Sequence, residues 1–352
     1  MDKNTLLRIS TKLIACAVIC TTTSAHAIDD ERVAEVTVKA TLPMPSARLG
    51  SIVFNGKLWM FGGIGPAGWS EQVHSAQILP DGGLGHWRMD ALLPDRRAMI
   101  GNGVHVAQNY FYVFGRAAAP IRSGVVEDGR LTAWKSLPDC AGKPLSNQAS
   151  CVTEHWLYVL GGRDGEKLSS AVQVLDISQP GGPSPQWRQT TALPIPVWFH
   201  VAAVHKDRMY VWGGSLKSGS ELNPDVFSAE LNHADGTLGE WRKETPMPLP
   251  VYAGAGTIVN GSLVSVAGRY RTGYATNVTW IAPIQKDGKV GEWRHVKSNM
   301  DKRMYHSIAA DMAGRRLYVL GGYSGDGLSE PERHASVDTV VALNLSALGL
   351  AN

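Results

Sequence analysis

The stretch Asp235-Gly236-Thr237-Leu238-Gly239-Glu240-Trp241 is repeated along this chain of 352 residues. Further copies read DGGLGHW from Asp81, DGRLTAW from Asp128 and DGKVGEW from Asp287, and a degenerate copy, GGPSPQW, starts at Gly181. The tryptophans that end the five copies stand at positions 87, 134, 187, 241 and 293, which are 47, 53, 54 and 52 residues apart. A regular period of about 50 residues predicts an array of equivalent structural units.

Each unit also contains two apolar runs joined by a short turn. The first pair is Gly50–Phe54 and Leu58–Gly63, joined by Asn55-Gly56. An Asn-Gly dipeptide between apolar runs is the strongest short signal for a β-hairpin. Six such pairs end in glycine, at residues 62–63, 115, 161–162, 213–214, 268 and 321–322. With a third strand, the Asp-Gly turn and a fourth strand after each hairpin, one repeat is one four-stranded blade of a β-propeller.

This set of motifs resembles the kelch family in its bacterial exported form, and the resemblance covers residues 31–349. It implies an all-β fold, a six-bladed kelch-type β-propeller with four-stranded blades. Two repeats depart from the double glycine of the family, with Gly115-Arg116 and Ala267-Gly268 in its place.

The two ends of the chain predict how the ring closes. The last repeat stops after its third strand, residues 337–345, and the N-terminal strand, residues 31–39, has no repeat of its own. In other repeats the tryptophan precedes a Leu-Pro leucine by six residues, and Val36 stands six residues before Leu42. We therefore expect Val36 at the tryptophan position of the last blade, with the N-terminal strand pairing there and removing two exposed sheet edges.

Residues 1–27 have the features of a secretory signal peptide, and we expect residues 28–352 to form a single propeller domain. Lys3, Arg8 and Lys12 precede or flank a short apolar run, and Ala25-His26-Ala27 matches a cleavage site. A lipoprotein signal ending at Cys16 is the alternative. No other apolar segment is long enough to span a bilayer. We expect a periplasmic or secreted protein.

Charge and cysteine content limit the partners. Removing the signal peptide takes a net charge of +2 from the formal +3, which leaves +1, so no overall field attracts nucleic acid. Cys140 and Cys151 remain in the mature chain, and an even pair in an exported protein favours a disulfide over two free thiols.

Aromatic residues at fixed repeat positions are expected to pack blades together, which applies to the five repeat tryptophans and to Tyr112, Tyr158, Tyr210 and Tyr318. Function is expected where the repeats differ, on the loops of one face. We call this face the rim. It comprises the loops that lead into the innermost strands and the loops that follow the glycines.

Arginines are concentrated on the rim although the chain is nearly neutral. A guanidinium is a planar fork of donors that suits carboxylate or phosphate. The rim residues predicted to bind a small anionic or polar ligand are Arg48, Arg97, Arg116, Arg163, Arg269, Arg303, Tyr305 and Tyr323. The alternative is that these arginines form ordinary loop salt bridges with acids such as Asp95, Asp164 or Glu330.

His200 and His306 are the candidate catalytic residues, because both stand where an innermost strand begins and imidazole transfers protons near neutral pH. The kelch resemblance instead implies a structural histidine at this position. No nucleophile motif or paired carboxylates are evident, and the histidines lack metal-ligand spacing, so no metal and no cofactor are expected.

The layout is similar to that of bacterial sialic acid epimerases (mutarotases). This resemblance implies a sugar or sugar-acid ligand and leaves open whether the chain is an enzyme. If it is one, we expect a carbohydrate isomerase. The alternative is a non-enzymatic propeller that presents the same face to a protein or polysaccharide partner.

Overall fold

The computed structural model describes residues 28–34, 36–99, 103–115, 120–127, 130–140, 145–165, 167–179, 186–217, 219–271, 274–324 and 335–350. Every regular element in these ranges is a β-strand, numbered β1 to β34 in chain order. No helix within them is long and apolar enough to cross a membrane. The expected signal peptide, residues 1–27, lies outside the described residues.

Six sets of four antiparallel strands form the six predicted blades, each ordered here from the innermost strand outward. Blades 1 to 3 consist of β3 (Gly50–Phe54), β4 (Lys57–Phe61), β7 (Gln72–Gln77) and β8 (Arg88–Leu92); of β9 (Val104–Ala107), β10 (Tyr110–Val113), β11 (Arg122–Glu127) and β12 (Arg130–Ser136); and of β13 (Ala149–Val152), β14 (Trp156–Leu160), β17 (Val172–Asp176) and β18 (Arg188–Thr190). Blades 4 to 6 consist of β19 (Val201–His205), β20 (Arg208–Trp212), β23 (Phe227–Glu230) and β24 (Arg242–Lys243); of β25 (Ala255–Val259), β26 (Ser262–Arg271), β27 (Tyr274–Pro283) and β28 (Arg294–Ser298); and of β30 (Ser307–Asp311), β31 (Arg316–Leu320), β34 (Thr339–Asn344) and β2 (Val36–Thr41).

Additional strands of two or three residues lie in the loops of the rim. They are β5 (Ile64–Gly65) with β6 (Gly68–Trp69), β15 (Arg163–Asp164) with β16 (Lys167–Leu168), β21 (Ser215–Lys217) with β22 (Glu221–Leu222), and β29 (Arg303–Met304), β32 (Tyr323–Ser324) and β33 (Ala335–Ser336). The innermost strands contact one another in the cyclic order β3, β9, β13, β19, β25 and β30, and β30 contacts β3 again. The six blades therefore surround a central channel.

The N-terminal segment closes the ring as predicted, but as two strands rather than one. Val36 pairs with Leu343 where β2 lies antiparallel to β34, and Val36 packs against the buried core between blades 5 and 6. The preceding strand β1 (Ile28–Ala34) instead runs parallel to β28 at the outer edge of blade 5. The segment therefore joins two neighbouring blades, because the backbone passes from one sheet to the next between β1 and β2.

The Asp-Gly turn that opens the sequence repeat links neighbouring blades. The Asp235 carboxylate accepts a hydrogen bond from the Thr237 amide at 2.9 Å, and Gly236 adopts a φ of 73°. The carbonyl of Gly236 then accepts a hydrogen bond from the hydroxyl of Tyr158 in the preceding blade at 2.8 Å. The same latch joins Tyr210 to Gly288 and Tyr318 to Gly82, at 2.9 and 3.0 Å. These second-strand tyrosines therefore connect blades, as the sequence predicts.

The double glycine is required by the close approach of the next blade. The Gly162 amide donates to the Val197 carbonyl at 2.8 Å, and a Cβ added to Gly161 would lie 2.5 Å from that oxygen. Both glycines have positive φ, which side chains disfavour. Where the family pattern is broken in blade 5, Ala267 takes the left-handed conformation with a φ of 49°.

The repeat tryptophans complete the blade-to-blade packing. Their indole N–H groups donate backwards to carbonyls of the preceding blade, from Trp187 to Pro138, from Trp241 to Thr191 and from Trp293 to Thr245, at 2.9, 3.1 and 3.0 Å. Apolar clusters fill the spaces between adjacent blades, as between β14 and β20. The repeat aromatics thus stabilise the ring and do not face a ligand.

The expected disulfide is absent from the structure. Cys140 and Cys151 are both free thiols. Cys151 lies in the innermost strand of blade 3 within the cluster that joins blades 3 and 4, whereas Cys140 packs against the cluster that joins blades 2 and 3. The prediction from an even cysteine count was wrong because the buried Cys151 and the half-buried Cys140 pack in different blade interfaces.

Candidate functional site

Five residues with left-handed backbone surround the rim end of the central channel, which we call the mouth. They share one position, two residues before an innermost strand, and are Arg48, Asn147, Phe199, Ala253 and Tyr305, with φ from 53° to 55°. Such residues store strain of about 1–3 kcal/mol and persist only where their surroundings fix them. Here the Arg48 amide donates to the Tyr305 carbonyl, and the Tyr305 amide to the Ala253 carbonyl, both at 2.7 Å. These bonds between blades hold the side chains around the mouth.

Aromatic rings cover the mouth on the side of blades 4 to 6. We call this set the aromatic half, and it consists of Trp198, Phe199, Tyr252, Tyr305 and Tyr323. The Phe199 ring centre lies 5.7 Å from that of Tyr305, and the Tyr305 ring centre lies 5.9 Å from that of Tyr323, both edge to face. This is a favoured geometry for aromatic pairs and makes a wall with ring faces and hydroxyls.

Three of the predicted rim arginines stack on these rings. The guanidinium carbon of Arg48 lies 4.2 Å from the Tyr305 ring centre, that of Arg163 lies 4.7 Å from Trp198, and that of Arg269 lies 5.3 Å from Tyr252. Cation–π contact of this kind orients a guanidinium while leaving donors available.

Among the described residues, none of these three arginines pairs with a carboxylate. The Arg163 side chain donates to the Gly165 carbonyl of its own loop. The Nε atom of Arg269 is buried and has no hydrogen-bond partner. The salt-bridge alternative considered from the sequence therefore does not describe Arg48, Arg163 or Arg269, and their charge is not neutralised within this part of the chain.

A small polar cavity opens on the opposite side of the mouth, between blades 1, 2 and 3. Its volume is about 20 Å³, and it is lined by Arg48, Ala98, Met99, Gly103, Phe114, Gly115, Asn147, Gln148 and Ser150. The hydroxyl of Ser150 lies 2.9 Å from Nε2 of His105 on the neighbouring innermost strand. Burial lowers the pKa of His105 to about 4, with a smaller opposing contribution from Ser150, so the ring is neutral at pH 7.

Two other predicted rim arginines are buried and engaged within the fold. The Arg97 side chain is fully buried, bonds to Asp95 at 2.7 Å and donates to the carbonyls of Val113 and Pro120. Burial lowers the pKa of Arg97, and Asp95 opposes this effect. The salt-bridge alternative thus applies to Arg97.

Arg303 occupies the corresponding place in blade 6. Its guanidinium donates to the Gly321 carbonyl at 3.2 Å and to the Thr339 hydroxyl at 2.6 Å, and only 1% of the residue is exposed. Burial lowers its pKa, with Asp301 opposing. The structure does not bring Arg97 or Arg303 together with Arg48, Arg163 and Arg269 at the mouth.

With this geometry in view, comparison with known proteins decides the family. The family described as the KLHDC2/KLHL20/DRC7 Kelch-repeats domain matches residues 101–322. The chain belongs to the Kelch-repeat family. Kelch propellers commonly mediate protein interactions, so the fold is that of a binding propeller.

Several proteins are similar to this Kelch propeller. Kelch repeat and BTB domain-containing protein 12 from Danio rerio is 28% identical over 212 residues, which cover 55% of this chain and 32% of that protein. Beta-scruin from Limulus polyphemus is 29% identical over 183 residues, which cover 48% of this chain and 19% of that protein. The matches thus span a third or less of these relatives' lengths.

A solved structure described as "Structure of YjhT" superposes on 88% of this Kelch propeller and on all of that chain, with a TM-score of 0.64 and 16% identity. At this identity the likeness shows the fold alone. The repeat family and a solved structure therefore both support the architecture. Neither likeness identifies the functional site, because one fold serves many functions.

The two predicted catalytic histidines of the Kelch propeller lie inside the blades. His200 is 5% exposed, both of its ring nitrogens lack a hydrogen-bond partner among the described residues, and burial lowers its pKa to about 3. His306 is 1% exposed, and burial and then Arg303 lower its pKa to about 3, opposed by the Val266 backbone. Both rings are buried and neither is protonated at neutral pH, so the geometry favours the structural alternative.

Two of the predicted ligand-binding residues remain, Tyr323 and Arg116. Tyr323 lies in the aromatic half, and burial raises its pKa while Arg48 opposes that effect. Arg116 lies outside the described residues. Within the described ranges, no group of three or more His, Cys, Asp or Glu side chains is placed to hold a metal ion.

Phe199, His105 and Ser150 are three of the mouth residues that sequence reasoning missed. Phe199 directly precedes His200 and shares its repeat position with Arg48 and Tyr305, which could have identified it. The contact between His105 and Ser150 joins strands of different blades and has no local signal in the sequence.

Proposed function

We propose that the mouth binds a small anionic ligand with a ring, of which a sugar acid is the best-fitting class. The observation that carries this proposal is that Arg48, Arg163 and Arg269 stack on aromatic rings, and none of them has a carboxylate partner in the described structure. Arginine held on an aromatic face presents its remaining donors to an incoming carboxylate.

The aromatic half supports the ring part of the ligand. Tyr305 and Tyr323 are half-buried and offer flat apolar faces beside hydroxyl groups, while Tyr252 is buried, and few convergent charges beside aromatic walls are usual at small-molecule sites. A sugar acid combines one carboxylate with a ring that has an apolar face and polar edges. A sugar acid therefore matches both the arginines and the aromatic half of the proposed site.

Calorimetric titration with N-acetylneuraminic acid tests the proposal. We expect saturable binding that weakens by at least tenfold in Arg163→Met and Arg269→Met, because each change removes one donor group and keeps a side chain of similar length. The matched control is Arg188→Met, since Arg188 stacks on Trp156 at 5.5 Å on the face of the Asp-Gly turns. No heat with the wild-type chain, or equal loss in the control, would overturn the proposal.

An epimerase or mutarotase activity is a separate part of the proposal, suggested by the layout of the sequence. It is tested in the same samples by following anomer exchange of N-acetylneuraminic acid by NMR. His200→Gln and His306→Gln should leave any exchange rate nearly unchanged, because both rings are buried and neutral. If these variants fold but lose anomer exchange, the histidines are catalytic and the structural alternative is wrong.

A macromolecular partner is the second candidate, and the hairpin of β26 and β27 favours it. Each strand of this hairpin is ten residues long, so the hairpin extends beyond the blade. Near the end of β26, the guanidinium carbon of exposed Arg271 lies 3.9 Å from the Tyr274 ring centre and 5.5 Å from the Tyr270 ring centre. Arg271→Met should weaken binding of a protein or polysaccharide and leave the sugar acid unaffected. The opposite pattern would argue against this candidate.

We also propose that the protein acts after export to the periplasm or beyond, which rests on residues 1–27 of the sequence. Intact-mass measurement of the protein recovered from the expressing cell tests this directly. The expected mass is that of a chain beginning at Ile28, and a full-length chain retained in the cytoplasm would contradict the proposal.

A further inference from the structure

The cavity between blades 1, 2 and 3 has an unusual charge pattern. Arg48 is the single charged residue among the nine described residues that line it, and no aspartate or glutamate is present. Arg48 also stacks on Tyr305, so its side chain borders the aromatic half as well as the cavity. A cation that borders a polar cavity without a carboxylate partner is a place where an anionic group gains interaction free energy.

The polar atoms of the cavity can act as donors. In the tautomer of His105 that carries its proton on Nε2, this nitrogen donates to the Ser150 oxygen, which leaves the Ser150 hydroxyl hydrogen free to donate into the cavity. The Oε1 atom of Gln148 is buried without a partner. Its amide nitrogen donates to the Gly115 carbonyl at 3.5 Å, and a flip of the amide exchanges this long hydrogen bond for an NH₂ group turned toward the buried side.

We propose that this cavity is the subsite that receives the carboxylate of the ligand, with one carboxylate oxygen bound by Arg48, Ser150 and Gln148. The inference rests on the proposed function and specifies how the ligand is oriented, with its ring on the aromatic half. The carboxylate of the ligand, formate and chloride are all small monovalent anions, so free formate or chloride should compete with the ligand for this cavity.

The size and composition of the cavity favour this occupant. A volume of about 20 Å³ is enough for one oxygen-sized atom, and a cavity needs roughly 10–15 Å³ to hold one water. A cation is excluded by Arg48, and a neutral hydroxyl would gain less from a guanidinium than a carboxylate does. Met99 and Phe114 form the apolar side of the cavity.

Formate titration by calorimetry is the first test, with Ser150→Ala as the decisive variant. We expect saturable formate binding that weakens about tenfold in Ser150→Ala and is lost in Arg48→Met. The matched control is Ser51→Ala, because Ser51 and Ser307 form a comparable contact, 2.8 Å between hydroxyls, on the innermost strands of blades 1 and 6, and neither serine lines the cavity. Unchanged formate affinity in Ser150→Ala, or equal loss in Ser51→Ala, would overturn the proposal.

Competition with N-acetylneuraminic acid and its methyl ester separates this inference from the proposed function. Formate should displace the acid, and the ester should bind at least tenfold more weakly than the acid and show no dependence on Ser150. Binding of the acid without competition by formate would reject the subsite and leave the proposed function standing. Formate binding with the expected variant pattern, but no binding of the acid, would support the subsite and reject the sugar acid as ligand.

Discussion

Arg48 of blade 1 contacts Tyr305 of blade 6 twice, through its amide at 2.7 Å from the Tyr305 carbonyl and through its guanidinium carbon at 4.2 Å from the Tyr305 ring centre. The guanidinium carbon also lies 5.8 Å from the ring of Phe199 in blade 4, the blade opposite to blade 1. One side chain therefore reaches across the mouth and joins the polar cavity to the aromatic half.

The Arg48–Tyr305 stack predicts a graded response to substitution of the tyrosine. Tyr305→Phe keeps the ring and should bind N-acetylneuraminic acid with nearly wild-type affinity, whereas Tyr305→Ala should bind it about tenfold more weakly. Alanine is compatible with the local backbone, because Ala253 has a φ of 53° at the equivalent position. Equal affinities of the two variants, measured by calorimetry, would show that the ring does not orient Arg48.

The tyrosine latch predicts a stability loss without a change at the mouth. Tyr210→Phe leaves the Gly288 carbonyl without its 2.9 Å donor, and the free energy of unfolding should fall by about 1–3 kcal/mol. Urea unfolding measures this loss. Tyr274→Phe is the control, since its ring meets Arg271 on the rim and its hydroxyl has no hydrogen-bond partner in the described structure. Similar midpoints for both variants would contradict the latch.

Two glycines in blade 3 separate steric crowding from backbone strain. Gly161 and Gly165 have φ of 57° and 56°, but an added Cβ lies 2.5 Å from the Val197 carbonyl at Gly161 and meets nothing within 4 Å at Gly165. Gly165→Ala should therefore cost only the strain of positive φ, about 1–2 kcal/mol. Gly161→Ala should cost distinctly more, because it also forces neighbouring blades apart. Thermal unfolding that ranks them the other way would be inconsistent with the blade contact.

The buried histidines predict loss of stability in acid. The folded pKa of His200 is about 3, below the ordinary value of 6.5, so the unfolded chain takes up a proton first. Stability should be fully present above pH 6.5 and decline as the pH falls toward 3, by up to about 1.4 kcal/mol per pH unit for each such histidine. Urea unfolding of His200→Gln should show a shallower decline. An unchanged slope in His200→Gln would refute this account.

The free thiols predict a simple chemical result for a chain cleaved after Ala27, which keeps only Cys140 and Cys151. Burial raises the pKa of Cys140 to about 11 and raises that of Cys151 further, so neither forms a reactive thiolate at pH 8. We expect a thiol reagent to label the folded protein slowly and to count two thiols after denaturation without reductant. A count of zero would show that the disulfide forms after all.

The repeat motifs identified the fold because each has a local physical cause. The Asp-Gly turn forms in the same way at Asp81, Asp235 and Asp287, and the spacing of the repeat tryptophans reports the length of one blade. Val36 could be placed in the last blade by counting alone. The division of the N-terminal segment into β1 and β2 could not be predicted, because it depends on the outer edge of blade 5, far away in the sequence.

By itself the sequence determined the number of blades, their closure and the face on which arginine and tyrosine gather, since these follow from patterns that repeat or fail to repeat. Only the tertiary structure decided which arginines are available. Arg48 and Arg97 are both rim arginines in the sequence, yet one stacks on Tyr305 and the other is buried against Asp95 and two carbonyls. The partners of a long charged side chain come from other loops and other blades, and no local pattern records which of them it meets.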